Sequence, residues 1–338
     1  MNYMPVFRTR GIDNALVTHM IEESTGLNKP ATQWVEVTPA HDGQRLDNFL
    51  IRLCKGVPKS HLYKAVRGGQ VRVNKGRTAV DYRIQVGDLI RIPPFRMSAP
   101  SPHRAPPRVF PVVYEDEGLL VIDKPPGVAV HGGSGVSYGV IESLRAAHPE
   151  LAFLELVHRL DRDTSGLLML AKRRQTLLAM HQRMRDGQVR KHYVALVEGR
   201  FVNDRQHIKL SLTKWTTVSG ERRVKVDPQG QSAHTVVSCL TRLNNYSLLD
   251  AELRTGRTHQ IRVHLASIGH PIVGDDKYGD DQTRDFFKEN GLARMFLHAR
   301  SLSFNHPASG EALTLEAPVP DTYGRALSLI QETEGKSL

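Results

Sequence analysis

Six prolines fall within the fifteen residues from Pro93 to Pro107. Each proline locks φ and lacks the N–H that a helix or an interior strand must donate. No regular element runs through such a stretch, so it reads as a semi-rigid, extended linker. The chain must therefore fold as separate pieces on either side of it. Its 338 residues suit one small and one large domain, expected at residues 31–93 and 109–330, with the linker at 94–108. Residues 1–30 show no sustained periodicity and are expected to form a mobile extension.

The two pieces differ sharply in charge. Between Gln44 and Ile92, eleven Lys and Arg face three carboxylates, and Pro93–Arg108 adds three arginines and no acid. These 65 residues hold the entire +11 excess of the chain. A local positive block attracts a polyanion, and nucleic acid is the first reading. No lipidation signal accompanies the block to favour a membrane surface. The two cysteines, Cys54 and Cys239, lie far apart and make neither a disulfide framework nor a cysteine zinc site. A signal-peptide pattern is missing, as is any run of about 18 apolar residues. A soluble, reduced, cytoplasmic protein is expected.

In the small piece, Leu46, Phe49, Leu50 and Leu53 recur at helical spacing. Pro58 breaks the chain, and Ser60 is placed to cap a second helix carrying Leu62, Tyr63 and Val66, which Gly68-Gly69 ends. Val71–Val73 alternates like a strand, and Val86-Gly87-Asp88 leads into a second strand, Leu89–Ile92. Two short helices and a small hairpin with basic residues outside resemble the S4 RNA-binding domain of many RNA-modifying enzymes. Lys59, Lys64 and Arg67 are the expected RNA contacts. The competing reading is an ordinary solvated helix face.

The large piece reads as many short strands with a few helices. Strands are expected at Val112–Tyr114, Leu119–Ile122, Gly166–Ala171, Tyr193–Val197 and Ser247–Leu253, and helices at Thr176–Met184 and Thr258–Ile268. Strands and long helices do not alternate regularly. That argues for an α+β fold with a large mixed or antiparallel sheet rather than a doubly wound one.

The sharpest string is LVHRLDRDTSGLLMLAK at residues 156–172. An apolar strand enters a charged turn and leaves as another apolar strand. Charges between two buried strands are costly unless paired or used. Spacing alone leaves an ion-paired turn, or Asp161 as a cap, as open as chemistry. The string H-R-L-D-x-x-T-S-G-L-L, however, resembles the catalytic motif of the RluA family of pseudouridine synthases, whose essential residue is the Asp, here Asp161. Three further segments resemble family motifs, in the right order: DKPPGVAVH at 123–131, KHYVAL at 191–196 and RTGRTHQIRVH at 254–264. MFLHA at 295–299 resembles the last motif. With the S4-like piece ahead, the likeness spans roughly Gln44–Pro320 and is nearest to the members that modify large-subunit (23S) ribosomal RNA. It implies uridine isomerisation in that RNA, with Tyr193 against the target base, Leu297 beside it, and Arg159 filling the gap left by the everted base.

The chemistry makes its own demands. The base must leave its stack, at a cost of a few kcal/mol, and the glycosidic bond must break without water capturing the sugar. A free carboxylate is ionised at neutral pH and needs positioning more than activation. Arg257 is the expected partner that aims Asp161 by a charge-assisted pair, with Arg262 as the rival. Whether Asp161 attacks C1′ or removes the C2′ proton stays open, as does the base for C5. No step is a redox reaction or requires a metal, so neither metal nor cofactor is expected, and the enzyme is expected to be a monomer. His259 and His264 are five apart, wrong for one helical face, and no acidic ligand has usable spacing for zinc. A kinase would need D-F-G and a glycine-rich loop, and a deaminase would need P-C-x-x-C and H-x-E. All are absent.

Overall fold

The computed structural model describes residues 32–54, 56–95, 105–133, 137–218 and 220–335. The expected extension at 1–30, and residues 96–104 of the linker, lie outside the described residues. Two compact units are present, one within Met1–Arg104 together with Pro149–Phe153 and one made of Ala105–His148 and Leu154–Leu338.

In the first unit, strand β1 (Gln33–Glu36) precedes helices α1 (Leu46–Leu53) and α2 (Lys59–Arg67) and strands β2 (Arg72–Val73) and β3 (Leu89–Ile92). Instead of the two-stranded hairpin expected, the sheet has three strands in the order β1-β3-β2, because Gln33–Glu36 pairs with the free side of β3. Helix α2 begins at Lys59 with Pro58 as its N-cap and no side-chain cap, so the expected Ser60 cap does not form. The Pro58 carbonyl accepts the His61 and Leu62 N–H groups, and the fixed proline φ sets the helix entry in place of a side chain. The apolar positions read from the sequence do face inward. Leu46, Phe49, Leu50, Leu62 and Val66 pack with Val71, Ile84 and Ile90 in one core. A buried carboxylate, Asp47, ties the two helices by accepting from Arg45 (3.0 Å) and Tyr63 Oη (2.6 Å).

The second unit runs β4 (Val112–Glu115), β5 (Leu119–Lys124), α3 (Val140–Ala147), β6 (Glu155–Leu156), β7 (Ser165–Ala171), α4 (Arg174–Arg185) and β8 (Arg190–Glu198). There follow β9 (Arg205–Ile208), β10 (Leu212–Thr216), β11 (Arg222–Val226), β12 (Thr235–Arg242), β13 (Tyr246–Leu253) and α5 (Gln260–Ser267). Helix α6 (Asp281–Glu289), β14 (Leu297–Asn305), β15 (Ala312–Glu316) and α7 (Asp321–Gly335) complete it. The main sheet has the order β4-β5-β7-β14-β8-β13-β12-β9, with β15 beside β14 and β6 beside β7. Strands β10 and β11 form a separate hairpin. The β7–β14 pair is parallel and its neighbours are antiparallel, so the sheet is mixed and the fold is α+β as expected.

Burial explains the strand patterns. All seven residues of β7 are buried, which is why Ser165–Ala171 reads as a continuous apolar run rather than an alternation. The parallel pairing aligns Ser165 with His298, so the loop before β7 and the start of β14 emerge at the same end of the sheet. Gly166 is required there. It has φ +104°, and a Cβ would lie 2.3 Å from the Ala299 carbonyl oxygen.

Two histidines near this junction give the unit an acid limit. His298 is fully buried and bonds Ser165 Oγ through Nδ1 (2.9 Å); His158 Nε2 accepts the Met169 N–H (3.1 Å). Burial pushes both down to about 4 from the ordinary 6.5. Between those values the unfolded chain takes up protons that the native state refuses. Their contribution to stability is therefore complete above about pH 6.5 and falls as pH drops toward 4, by up to about 1.4 kcal/mol per pH unit for each histidine. Urea unfolding midpoints measured from pH 7 to 4 should fall less steeply for His298→Asn than for the unaltered protein.

Candidate active site

The charged string folds as the loop 157–164 between β6 and β7. Val157, Leu160 and Thr164 are buried and pin it, while Arg159 and Arg162 point outward and Asp161 lies partly covered between them. A lysine holds the loop from within. Lys124, at the end of β5, is fully buried, and its Nζ donates to the carbonyls of Pro125 (2.8 Å), Val128 (2.8 Å) and Arg162 (2.9 Å). Burial drives its pKa down to about 7, with the negative charges of Asp163 and Asp161 opposing the shift. Three acceptors for three N–H donors favour the ammonium form.

The partner of Asp161 is Arg262, not Arg257. Arg262 Nη1 donates to Asp161 Oδ2 at 3.2 Å. The same guanidinium grips Asp275 through Nε (2.7 Å) and Nη2 (2.6 Å) and reaches Asp276 at 3.1 Å. Arg262 and Asp275 are buried, 3% and 1% exposed. Burial opposes the charge of Arg262, but the Asp275 bonds and charge, with Asp161 added, raise its pKa above the ordinary arginine value. Arg257 lies in the turn before α5. Its backbone N–H and Thr255 Oγ1 donate to Gln260 Oε1, and its exposed side chain donates to the Ser232 carbonyl. The turn sends residue 257 outward, whereas residue 262 falls on the buried side of the helix.

Asp161 opens onto a cavity of about 270 Å³, near the lower bound of ordinary ligand pockets and suited to one base. Arg159, Tyr193, Arg257, Arg262 and Leu297 all line it. Tyr193 and Leu297 come from adjacent strands, with Tyr193 opposite Ala299 and Ala195 opposite Leu297, so they share one face of the sheet. Both are buried, at 6% and 4% exposed. Burial, reinforced by the charge of Asp161, raises the Tyr193 pKa and keeps its phenol protonated. Lys191 also lines the cavity, and burial lowers its pKa. Among the described residues, no group of three or more His, Cys, Asp and Glu is placed to hold a metal ion, and no helix is long and apolar enough to cross a membrane.

A profile of the RNA pseudouridylate synthase family matches residues 118–267, and an S4 domain profile matches residues 44–90. Over 314 residues the chain is 44% identical to the ribosomal large subunit pseudouridine synthase C of Pasteurella multocida, covering 91% of this chain and 96% of that protein. The chain belongs to the RNA pseudouridylate synthase family. The protein of the same name from Escherichia coli is 45% identical over 314 residues, covering 89% of this chain and 98% of its own. Two human solved structures are similar. RNA pseudouridylate synthase domain containing 4 has a TM-score of 0.54 at 26% identity, over 65% of this chain and 93% of that one. Domain containing 1 has a TM-score of 0.52 at 27% identity, over 62% and 83%.

Several residues at this cavity carry no local sequence signal of a role. Lys124 lies within DKPPGVAVH, but nothing local to that segment turns its amine inward. Asp275, Asp276 and Tyr278 come from GDDKYG at 274–279, a polar turn whose partners are distant in the chain. By sequence His259 reads only as a zinc candidate of unsuitable spacing. The structure sets its Nε2 3.9 Å from Asp161 Oδ1. Lys59, Lys64 and Arg67 belong to the other unit, where all three are exposed on α2, with Lys59 and Arg67 flanking the Tyr63 ring at 5.2 and 6.0 Å.

Proposed function

We propose that this enzyme converts uridines of large-subunit (23S) ribosomal RNA to pseudouridine in the cytoplasm, acting as a monomer, with Asp161 as its catalytic residue. The observation that carries the reading is a single one. A carboxylate gripped on one oxygen by a buried guanidinium stands at the mouth of a cavity walled by Tyr193 and Leu297. The everted uracil enters between these walls, and Arg159, exposed at the rim and with no side-chain hydrogen bond or ion pair among the described residues, takes its place in the stack.

Two routes use the same carboxylate. In one, Asp161 attacks C1′, the C1′–N1 bond breaks, and a sugar ester forms. In the other, it removes the C2′ proton and a glycal forms. The freed uracil then turns and C5 bonds to C1′. In the first route the ester C1′–O bond breaks and frees the Asp161 carboxylate; in the second the proton returns to C2′. The C5 proton then leaves and N1 is protonated. No atom is gained or lost overall. With Tyr193 held as a phenol, Asp161 is the better acceptor for the C5 proton.

The test is to map pseudouridine in ribosomal RNA from cells lacking the gene. Specific positions should revert to uridine and be restored by the intact gene. An unchanged map would overturn the assignment.

The S4-like unit supplies the electrostatic grip. Combined replacement of Lys59, Lys64 and Arg67 by Ala should weaken RNA binding and flatten its dependence on salt. The slope of log K against log salt should fall by roughly 0.7–0.9 for each lost phosphate contact. The rate at saturating RNA should hold. Binding titrations from 50 to about 200 mM salt check this.

A further inference from the structure

We propose that His259 is a positioning residue for Asp161, holding its second oxygen through Nε2–H, and that Tyr278 sets the imidazole tautomer that makes this possible. The proposal rests on the catalytic assignment of Asp161 and adds two residues to it.

The backbone gives the first sign. His259 has φ 53° and ψ 22° at the N-terminus of α5, a left-handed conformation that few residues other than glycine adopt. This strain turns its ring into the cavity, which it lines. Hydrogen bonding then fixes which nitrogen carries the proton. His259 Nδ1 lies 2.9 Å from Tyr278 Oη, and the Val224 N–H donates to that same oxygen, also at 2.9 Å. With one lone pair of Oη taken by Val224, the arrangement that uses every group has the phenol proton donated to Nδ1. The neutral ring then carries its hydrogen on Nε2. Burial favours that neutral ring, lowering the pKa of His259 against the opposing charge of Asp161.

Nε2 stands 3.9 Å from Asp161 Oδ1, while Oδ2 is held by Arg262 at 3.2 Å. The two carboxylate oxygens thus face two different donors. The gap at Oδ1 is about 1 Å longer than a hydrogen bond, and such contacts commonly tighten when substrate binds. The same anchor supports both donors. Asp275 Oδ1 accepts Arg262 Nη2 (2.6 Å) and the Tyr278 backbone N–H (3.1 Å). Asp161, Arg262, Asp275, Tyr278 and His259 therefore stand in one circuit, hydrogen-bonded except across the 3.9 Å between His259 and Asp161, with Asp275 anchoring both arms. The Tyr278 ring also lies against both, edge-on to His259 (5.7 Å) and 5.2 Å from the Arg262 guanidinium carbon.

Two substitutions separate position from bulk. Asn suits the left-handed backbone but ends near Nδ1 and falls short of Asp161. The Gln side chain carries an amide nitrogen out to the reach of Nε2. Single-turnover rates at saturating RNA, and RNA affinity, are measured for both, with Asp161→Asn alongside. His259→Asn should lower the rate by about tenfold to a hundredfold, the range for one hydrogen bond to a charged group, with RNA affinity within about twofold. His259→Gln should recover a substantial part of the rate. Tyr278→Phe should also slow turnover, and its effect should not multiply with that of His259→Asn. Two results would overturn the proposal while Asp161→Asn stays inactive: His259→Asn working at the full rate, or Gln and Asn losing rate equally. Turnover by Asp161→Asn would instead overturn the catalytic assignment itself.

Discussion

Asp161→Asn protein should bind its RNA and release it with the uridines unchanged. Asparagine keeps the shape of the side chain and an oxygen that can accept from Arg262 Nη1, so the loop 157–164, pinned by Leu160 and by Lys124, should keep its fold. The amide has no negative charge, however, and neither attacks C1′ nor removes a proton. Loss of a reacting group of this kind lowers turnover by roughly 10⁴-fold or more. Pseudouridine formed in a single turnover is the readout, with RNA affinity measured beside it. Product at more than a few per cent of the normal rate would remove Asp161 from the chemistry. Complete loss of RNA binding would mean that the residue serves the architecture.

The second large effect falls on Arg262 and has two parts that separate. Arg262→Met removes the group that aims Asp161 and strands Asp275, which is almost wholly buried, without its bidentate partner. An uncompensated buried charge of this kind costs about 3–5 kcal/mol. Unfolding by urea should show that loss, and pseudouridine formation should fall steeply with it. Lysine should not restore the function, because a point charge does not reproduce two parallel bonds to one carboxylate. Adding Asp275→Asn to Arg262→Met removes the stranded charge. The asparagine oxygen can still accept from the Lys277 and Tyr278 N–H groups that Asp275 serves. The double variant should regain most of the stability and none of the activity. If it regained both, Arg262 would be a structural residue only.

Much of this enzyme was legible in its chain. Its apolar periodicity placed α1, α2, β3, β7, β8 and β13 close to where they form, since each is a local pattern set by burial of one or both faces. Charge placement singled out the S4-like segment, because eleven basic residues against three acids need no fold to be counted. The string around Asp161 stands out locally as a charged turn between two buried strands, which is costly unless paired or used, and it is the resemblance to a family motif that points from there to chemistry. Cavity-lining positions at Arg159, Tyr193 and Leu297 followed from motifs that local sequence carries.

Tertiary structure alone decided who holds Asp161. Arg257 and Arg262 stand in one motif with the same charge, and only the turn capped by Gln260 sends the first to solvent and the second inward. Asp161 and Arg262 are 101 residues apart, and Lys124 reaches a carbonyl 38 residues away. Such contacts depend on where the sheet sets each strand end, and no local pattern encodes that. The contacts that link Asp275, Tyr278 and His259 belong to the same class. Each member is an ordinary polar residue in its own segment and meets the others only in the folded chain.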